Sequence, residues 1–172
     1  MKQLTLLLLL IPVISFAQTP TFQQEVGGNL DFHRNHINQL IDAIPDDKIT
    51  WRSSDDVRSI SEVVAHIAAS TYNLSSALGK NIPEGVDPSG FEKSLTSKED
   101  LKAAVNNAFD FAKEAIAGVS DEDLVTMVEL PFGTFTKRNI MLIIVSHDTQ
   151  HKGQFITYAR SIGVTPPWNA EN

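Results

Sequence analysis

The chain predicts an all-α fold, a four-helix bundle, and three observations carry that expectation. Apolar residues recur at three- and four-residue spacing in four separate stretches. Capping residues open these stretches, and glycine or proline closes them. Four helices of this length within one domain can bury their apolar stripes only against one another, which is the bundle solution.

The first helix runs from about Thr21 to Ala43, with Phe22, Val26, Leu30, Ile37, Leu40 and Ile44 on one stripe and Pro45 as its stop. His33 falls on the same stripe, whereas His36 falls off it and is expected to be exposed. The second helix opens at a capping box, Ser59 with Glu62, and continues through Val63, Val64, Ile67 and Leu74 to Gly79. The connection from Gly79 to Leu95 carries Gly79, Pro83, Gly85, Pro88 and Gly90, and its length suits a crossover or an active-site lid. Thr96 with Glu99 reads as the capping box of the third helix, which passes through Leu101, Val105, Ala108, Ala112 and Ile116 to Gly118.

A short acidic turn, Ser120 to Leu124, leads into Val125 to Thr136, where Pro131 and Gly133 predict an extended loop or small hairpin. The fourth helix spans about Lys137 to Ile162, ends at Gly163, and is followed by Pro166 and Pro167. Residues 1–17 read as a secretory signal: Lys2 is the positive end, Leu4 to Ile14 the apolar stretch, and Ser15, Phe16 and Ala17 the cleavage site. The apolar stretch is too short to span a membrane. No cysteine follows Ala17 to take a lipid, so no stable membrane anchor is expected. The mature domain, residues 18–172, is then a periplasmic or secreted protein of about 155 residues, enough for one domain with a core.

Composition narrows the chemistry. The chain has no cysteine, so it offers neither a thiol nucleophile nor a thiolate ligand, and any metal must be held by nitrogen and oxygen. Without Lys2 the 14 basic side chains become 13 against 21 acidic ones, a formal charge of −8. Such a surface repels phosphate backbones, and nucleic acid is excluded as the expected partner.

The chemistry-bearing motif is His147-Asp148-Thr149-Gln150-His151 in the fourth helix. Two imidazoles four residues apart lie about 40° apart around a helix, with Cβ atoms about 6 Å from one another, and can grip one ion. A third imidazole from a neighbouring helix would leave an open coordination position, the pattern of catalytic metal sites, and His66 is the best candidate. His66 shares a stripe with Val63, Ser70 and Asn73, which turns polar as a cavity wall would. On the fourth helix Ile140, Ile144, His147, His151, Gln154, Tyr158 and Ile162 share the inward stripe. Without partners three buried imidazoles are unfavourable, and a shared cation satisfies them. The alternative is that each is a hydrogen-bonded core histidine.

Gln154 and His33 are the catalytic candidates beside the ligands. Gln154 is placed to hydrogen-bond a ligand or a bound water, or else is a polar residue satisfied at the helix interface. His33 is placed to line the cavity or to transfer protons. Asp148 points about 100° from the ligand face and is read as solvated or packing, in preference to a general base. Tyr158 reads as a core tyrosine, Trp51 and Trp168 as packing at the bundle ends, and Arg52 and Arg58 as surface residues unless they border the pocket.

The segment Trp51 to Ile67, WRSSDDVRSISEVVAHI, and the segment His147 to Pro167, HDTQHKGQFITYARSIGVTPP, resemble the corresponding parts of the DinB/YfiT-like family of metal-dependent enzymes. The resemblance covers essentially the mature chain. It implies an up-down-down-up four-helix bundle, often a homodimer, with a three-histidine divalent metal site on His66, His147 and His151. It also implies thiol-dependent S-transferase or isomerase activity in some relatives.

The expected function is a metal-dependent hydrolase of a small-molecule substrate, with three neutral ligands leaving the full charge on the ion to acidify a water and polarise a carbonyl. A thiol-dependent transferase and a non-catalytic metal- or ligand-binding bundle are the alternatives. Imidazole ligation suits zinc or nickel first, with iron, copper or manganese after them.

Overall fold

The structure, a computed structural model, describes Thr19–Asn169. The expected signal segment, residues 1–17, lies outside the described residues. Among the described residues, five α-helices and one antiparallel hairpin make up the fold: α1 (Phe22–Ala43), α2 (Ile60–Ser76), α3 (Phe91–Ser94), α4 (Lys98–Ala117), β1 (Met127–Leu130), β2 (Gly133–Thr136) and α5 (Lys137–Ser161). The four long helices match the four periodic stretches. The expected four become five because the glycine- and proline-rich connection winds into one short helix, α3, which packs on α2.

Local chemistry explains where the helices begin. Thr21 and Ser59 each accept a bond from the third backbone N–H of their helix, and the side chains of Gln24 and Glu62 bond back to the cap backbone. The third long helix departs from expectation by one residue, since Ser97 and not Thr96 is its cap, its hydroxyl facing the backbone N–H of Asp100. Thr136 caps α5 through the N–H of Asn139. This is the last residue of β2, so the hairpin feeds directly into the helix that carries the histidine pair.

The choice left open between loop and hairpin resolves as a hairpin, with Leu130 paired to Gly133 around Pro131 and Phe132. Gly133 sits at φ +148°, and a Cβ there would come within 2.9 Å of the Phe135 ring, so glycine is required twice over.

Helices α1 and α2 each pack on both α4 and α5, enclosing one core. Leu30, Ile37 and Leu40 of α1, Ile60, Val64 and Ile67 of α2, Leu101 and Phe109 of α4, and Ile140, Ile144 and Phe155 of α5 are wholly buried within it. Burying a side chain of this size contributes about 1.5–3 kcal/mol. Along α5 the apolar contacts are interrupted: between Val145 and Phe155 the buried or half-buried positions are His147, Asp148, His151, Lys152 and Gln154. A polar belt therefore crosses the middle of the packed face. Among the described residues no helix is long and apolar enough to cross a membrane.

Candidate metal centre

Two helices build the cluster. The capping box at Ser59 fixes the start of α2, and the backbone N–H groups of Ile60 and Ser61 tie that start to the carbonyls of Trp51 and Ile49. His66 projects toward α5, where the four-residue spacing places His147 and His151 on one face. Ring centroids lie 5.2 Å apart for His66 and His147, 4.6 Å for His66 and His151, and 4.5 Å for His147 and His151. One nitrogen from each ring lies within 4.8 Å of the other two. All three rings are half-buried.

Each ring has a neighbour behind it. His66 donates from Nδ1 to Glu92 Oε1 at 2.8 Å, and the same carboxylate is gripped by Arg58 through Nε at 2.8 Å and Nη2 at 3.2 Å. His151 donates from Nδ1 to Gln154 Oε1 at 3.0 Å, and Gln154 Nε2 donates to the Tyr158 hydroxyl at 3.1 Å. Because both acceptors take the Nδ1 proton, Nε2 is the bare nitrogen of His66 and of His151. The Ser70 hydroxyl stands 3.4 Å from Nε2 of His66. His147 differs: its Nδ1 is buried without a partner, 3.9 Å from the Asp148 carboxylate, beyond hydrogen-bond range.

Burial, aided by the positive charge of Arg58 and by the neighbouring histidines, holds His66 and His151 below the ordinary imidazole range. Both rings are thus neutral at neutral pH, the form a metal requires. Burial works to raise the Glu92 carboxyl, but the bonds from Arg58 and His66 outweigh it and keep the group ionised. Arg58 therefore borders the cluster, where sequence alone placed it on the surface. Arg52 instead pairs with Glu62 at the α2 cap.

The remaining sequence candidates separate. Gln154 joins the cluster through His151. Tyr158 is buried, edge-on to Trp51, with its hydroxyl satisfied. Asn73 is exposed and does not wall the site. His33 is buried on α1 against the opposite flank of α5, accepting from Lys152 Nζ at Nδ1 over 2.7 Å and lying 3.1 Å from Thr149 Oγ1 at Nε2. It is not brought into the cluster. Burial and the charge of Lys152 push its pKa down to about 4. His36, expected in solvent, stacks on Trp168 with centroids 4.0 Å apart and is half-buried.

Asp148, expected to be solvated or packing, is completely buried. Its Oδ1 accepts from Thr71 at 3.1 Å, and burial pushes its carboxyl up against the opposing influence of His147, Thr71 and Lys152. Sequence reasoning missed Glu92 because it lies in a connection with no periodicity. Asp148, about 100° from the ligand face, reads in the sequence as solvated or packing, and Lys152 carries no signal of burial there.

The sequence pattern of the DinB superfamily matches residues 29–155, which include all three histidines. This chain belongs to the DinB superfamily. The uncharacterized protein YjoA of Bacillus subtilis (strain 168) is 26% identical over 137 residues, 77% of this DinB chain and 86% of YjoA. The crystal structure of a DinB-like protein from Bacillus cereus ATCC 10987 superposes with a TM-score of 0.72 at 17% identity, covering 86% of this chain and 98% of that one. A mycothiol-dependent maleylpyruvate isomerase superposes with a TM-score of 0.60 at 15% identity, over 78% of this chain and 62% of the isomerase. These likenesses agree with the helical architecture of the DinB chain.

A groove of about 700 Å³ runs between α1 and α4 of the DinB protein, past Gln24, Gly28, Asp31 and Lys113. No histidine lines it, so this groove and the cluster are separate places.

Proposed function

We propose that this DinB protein is an exported metal-dependent enzyme, a hydrolase of a small molecule, in which His66, His147 and His151 hold one divalent transition metal. The observation that carries the reading is the convergence of three imidazole nitrogens within 4.8 Å from two helices, with no acidic or sulfur ligand in the set. The donor set fits such an ion. Two of the rings are held neutral with Nε2 bare, and the third brings a ring nitrogen within 4.8 Å of theirs. All-imidazole ligation favours zinc or nickel over harder cations. A divalent cation held by three neutral ligands supplies Lewis acidity to a carbonyl and to a water.

The protein's own groups prepare that site. Glu92 and Gln154 fix the tautomers and angles of His66 and His151. Arg58, paired with Glu92, places N–H donors at the rim, which favours a polar substrate. Gln154 is a positioning residue in this scheme. His33, across α5 and bonded to Lys152, reaches the cluster only through the helix. The up-down-down-up order of the family and a homodimer belong to the same reading. Export rests on the Lys2 to Ala17 segment, and the acidic surface argues against nucleic acid.

A second reading, a thiol-dependent transferase, is favoured by the superposition on the mycothiol-dependent isomerase. Elemental analysis of tag-free protein beside His66→Ala tests the metal centre. A panel of ester, amide and lactone substrates, assayed with and without an added small thiol, tests the chemistry. Turnover without thiol that vanishes in His147→Ala supports the hydrolase. Turnover only with thiol supports the transferase. Stoichiometric metal with no turnover in either assay reduces the protein to a metal-binding bundle, and equal metal in wild type and His66→Ala removes His66 from the site.

A further inference from the structure

We propose that Asp148, held by Thr71, is a positioning residue for His147, its carboxylate fixing the Nδ1–H tautomer and the ring angle so that Nε2 faces the cluster. The inference rests on the metal-centre reading and extends it to the one ring whose outer partner is unassigned. Among the described residues, few buried side-chain atoms lack a hydrogen-bond partner, and two of them are neighbours: Nδ1 of His147 and Oδ2 of Asp148.

Packing alone does not explain Asp148. The side chain is wholly buried between α5 and α2, where an apolar residue of similar size would spare the desolvation of a carboxylate. Its protein partner is a hydroxyl already engaged elsewhere: the single proton of Thr71 is shared between Ile67 O at 2.7 Å and Asp148 Oδ1 at 3.1 Å. The carboxylate thus retains most of its accepting capacity, and the nearest ring donor is His147 Nδ1, 3.9 Å from Oδ1. A bond between Nδ1 of His147 and this carboxylate would satisfy both orphaned groups at once.

The other two rings show the completed version of the arrangement, each donating from Nδ1 to an acceptor that a third residue holds: Glu92 by Arg58, and Gln154 by Tyr158. Thr71 holds Asp148 in the same way. Asp148 has no exposed atom through which to meet substrate, so its effect passes through His147.

The test uses the mature protein and zinc alone. Nitrogen NMR of labelled histidine in metal-free protein reads the His147 tautomer, and competition titration reads zinc affinity. Wild type is expected to carry the proton on Nδ1. Asp148→Asn, whose amide presents a donor as well as an acceptor, is expected to give a tautomer mixture and to weaken zinc by about ten- to hundredfold. Thr71→Val is expected to move both readouts in the same direction by less, and Thr71→Ser to restore them.

An Asp148→Asn protein with an unchanged tautomer and zinc affinity within about twofold overturns the proposal. Should that variant not fold, an unchanged tautomer and affinity in Thr71→Val overturns it equally. If wild type binds no zinc, the metal-centre reading fails while the tautomer measurement still decides the Asp148–His147 relation.

Discussion

Nδ1 of His66 lies 2.8 Å from a carboxylate oxygen of Glu92, a residue 26 positions later on the short helix α3. The glycine- and proline-rich connection therefore delivers the group that fixes the tautomer of an imidazole on α2. Replacing Glu92 by glutamine keeps the shape and removes the charge, and zinc affinity is expected to fall by about ten- to hundredfold. Thermal stability of the metal-free protein should change little, since an exposed Glu–Arg pair contributes about 0–1 kcal/mol. Unchanged zinc affinity in Glu92→Gln would assign α3 a packing role only.

Metal binding should appear as added stability. A cation that binds only the folded chain at one hundred times its Kd stabilises it by about 2.7 kcal/mol. Melting with added zinc or nickel, then with a chelator, is expected to raise and restore the midpoint. His66→Ala, His147→Ala and His151→Ala should each remove most of the rise. A rise that survives all three places the ion elsewhere.

His33 sets a pH dependence of folding. The unfolded chain takes up its proton near the ordinary value of 6.5, the folded chain only near 4, because burial and Lys152 oppose the charged form. Its contribution is complete above pH 6.5 and is lost as pH falls from 6.5 to 4, with no further loss below. At about 1.4 kcal/mol per pKa unit the loss is at most about 3.5 kcal/mol, less what solvent screening removes. Urea midpoints across this range should fall in wild type and fall less in His33→Gln. Equal slopes in the two proteins would contradict the assignment.

Ser59 anchors the helix that carries His66. Its hydroxyl faces the backbone N–H of Glu62, and the Glu62 carboxylate accepts from the Ser59 backbone at 2.7 Å and from Arg52 at 3.0 Å. Ser59→Ala is expected to lower unfolding free energy by about 1 kcal/mol. Glycine there should be milder than alanine, because a cap position asks for an extended backbone. Alanine matching wild type in denaturant titration would show that the Trp51 and Ile49 contacts hold the helix start unaided.

Periodicity determined the four long helices, because an amphipathic stripe such as Val26, Leu30, Ile37 and Leu40 has one physical solution in water, burial against other helices. Spacing likewise determined that His147 and His151 share a face and that His66 points inward, since both follow from helical geometry within a single element. What the tertiary structure decided are relations between elements. Glu92 meets His66 across a connection with no repeat to read, and His33 meets Lys152 and not the cluster because α1 packs on the other flank of α5. Asp148 is buried because α2 covers it with Thr71, a fact invisible along one helix, where every position 100° from the histidine face has the same claim to solvent. Local periodicity fixes which way a side chain leaves its own helix. Only the packing of helices determines what it finds there.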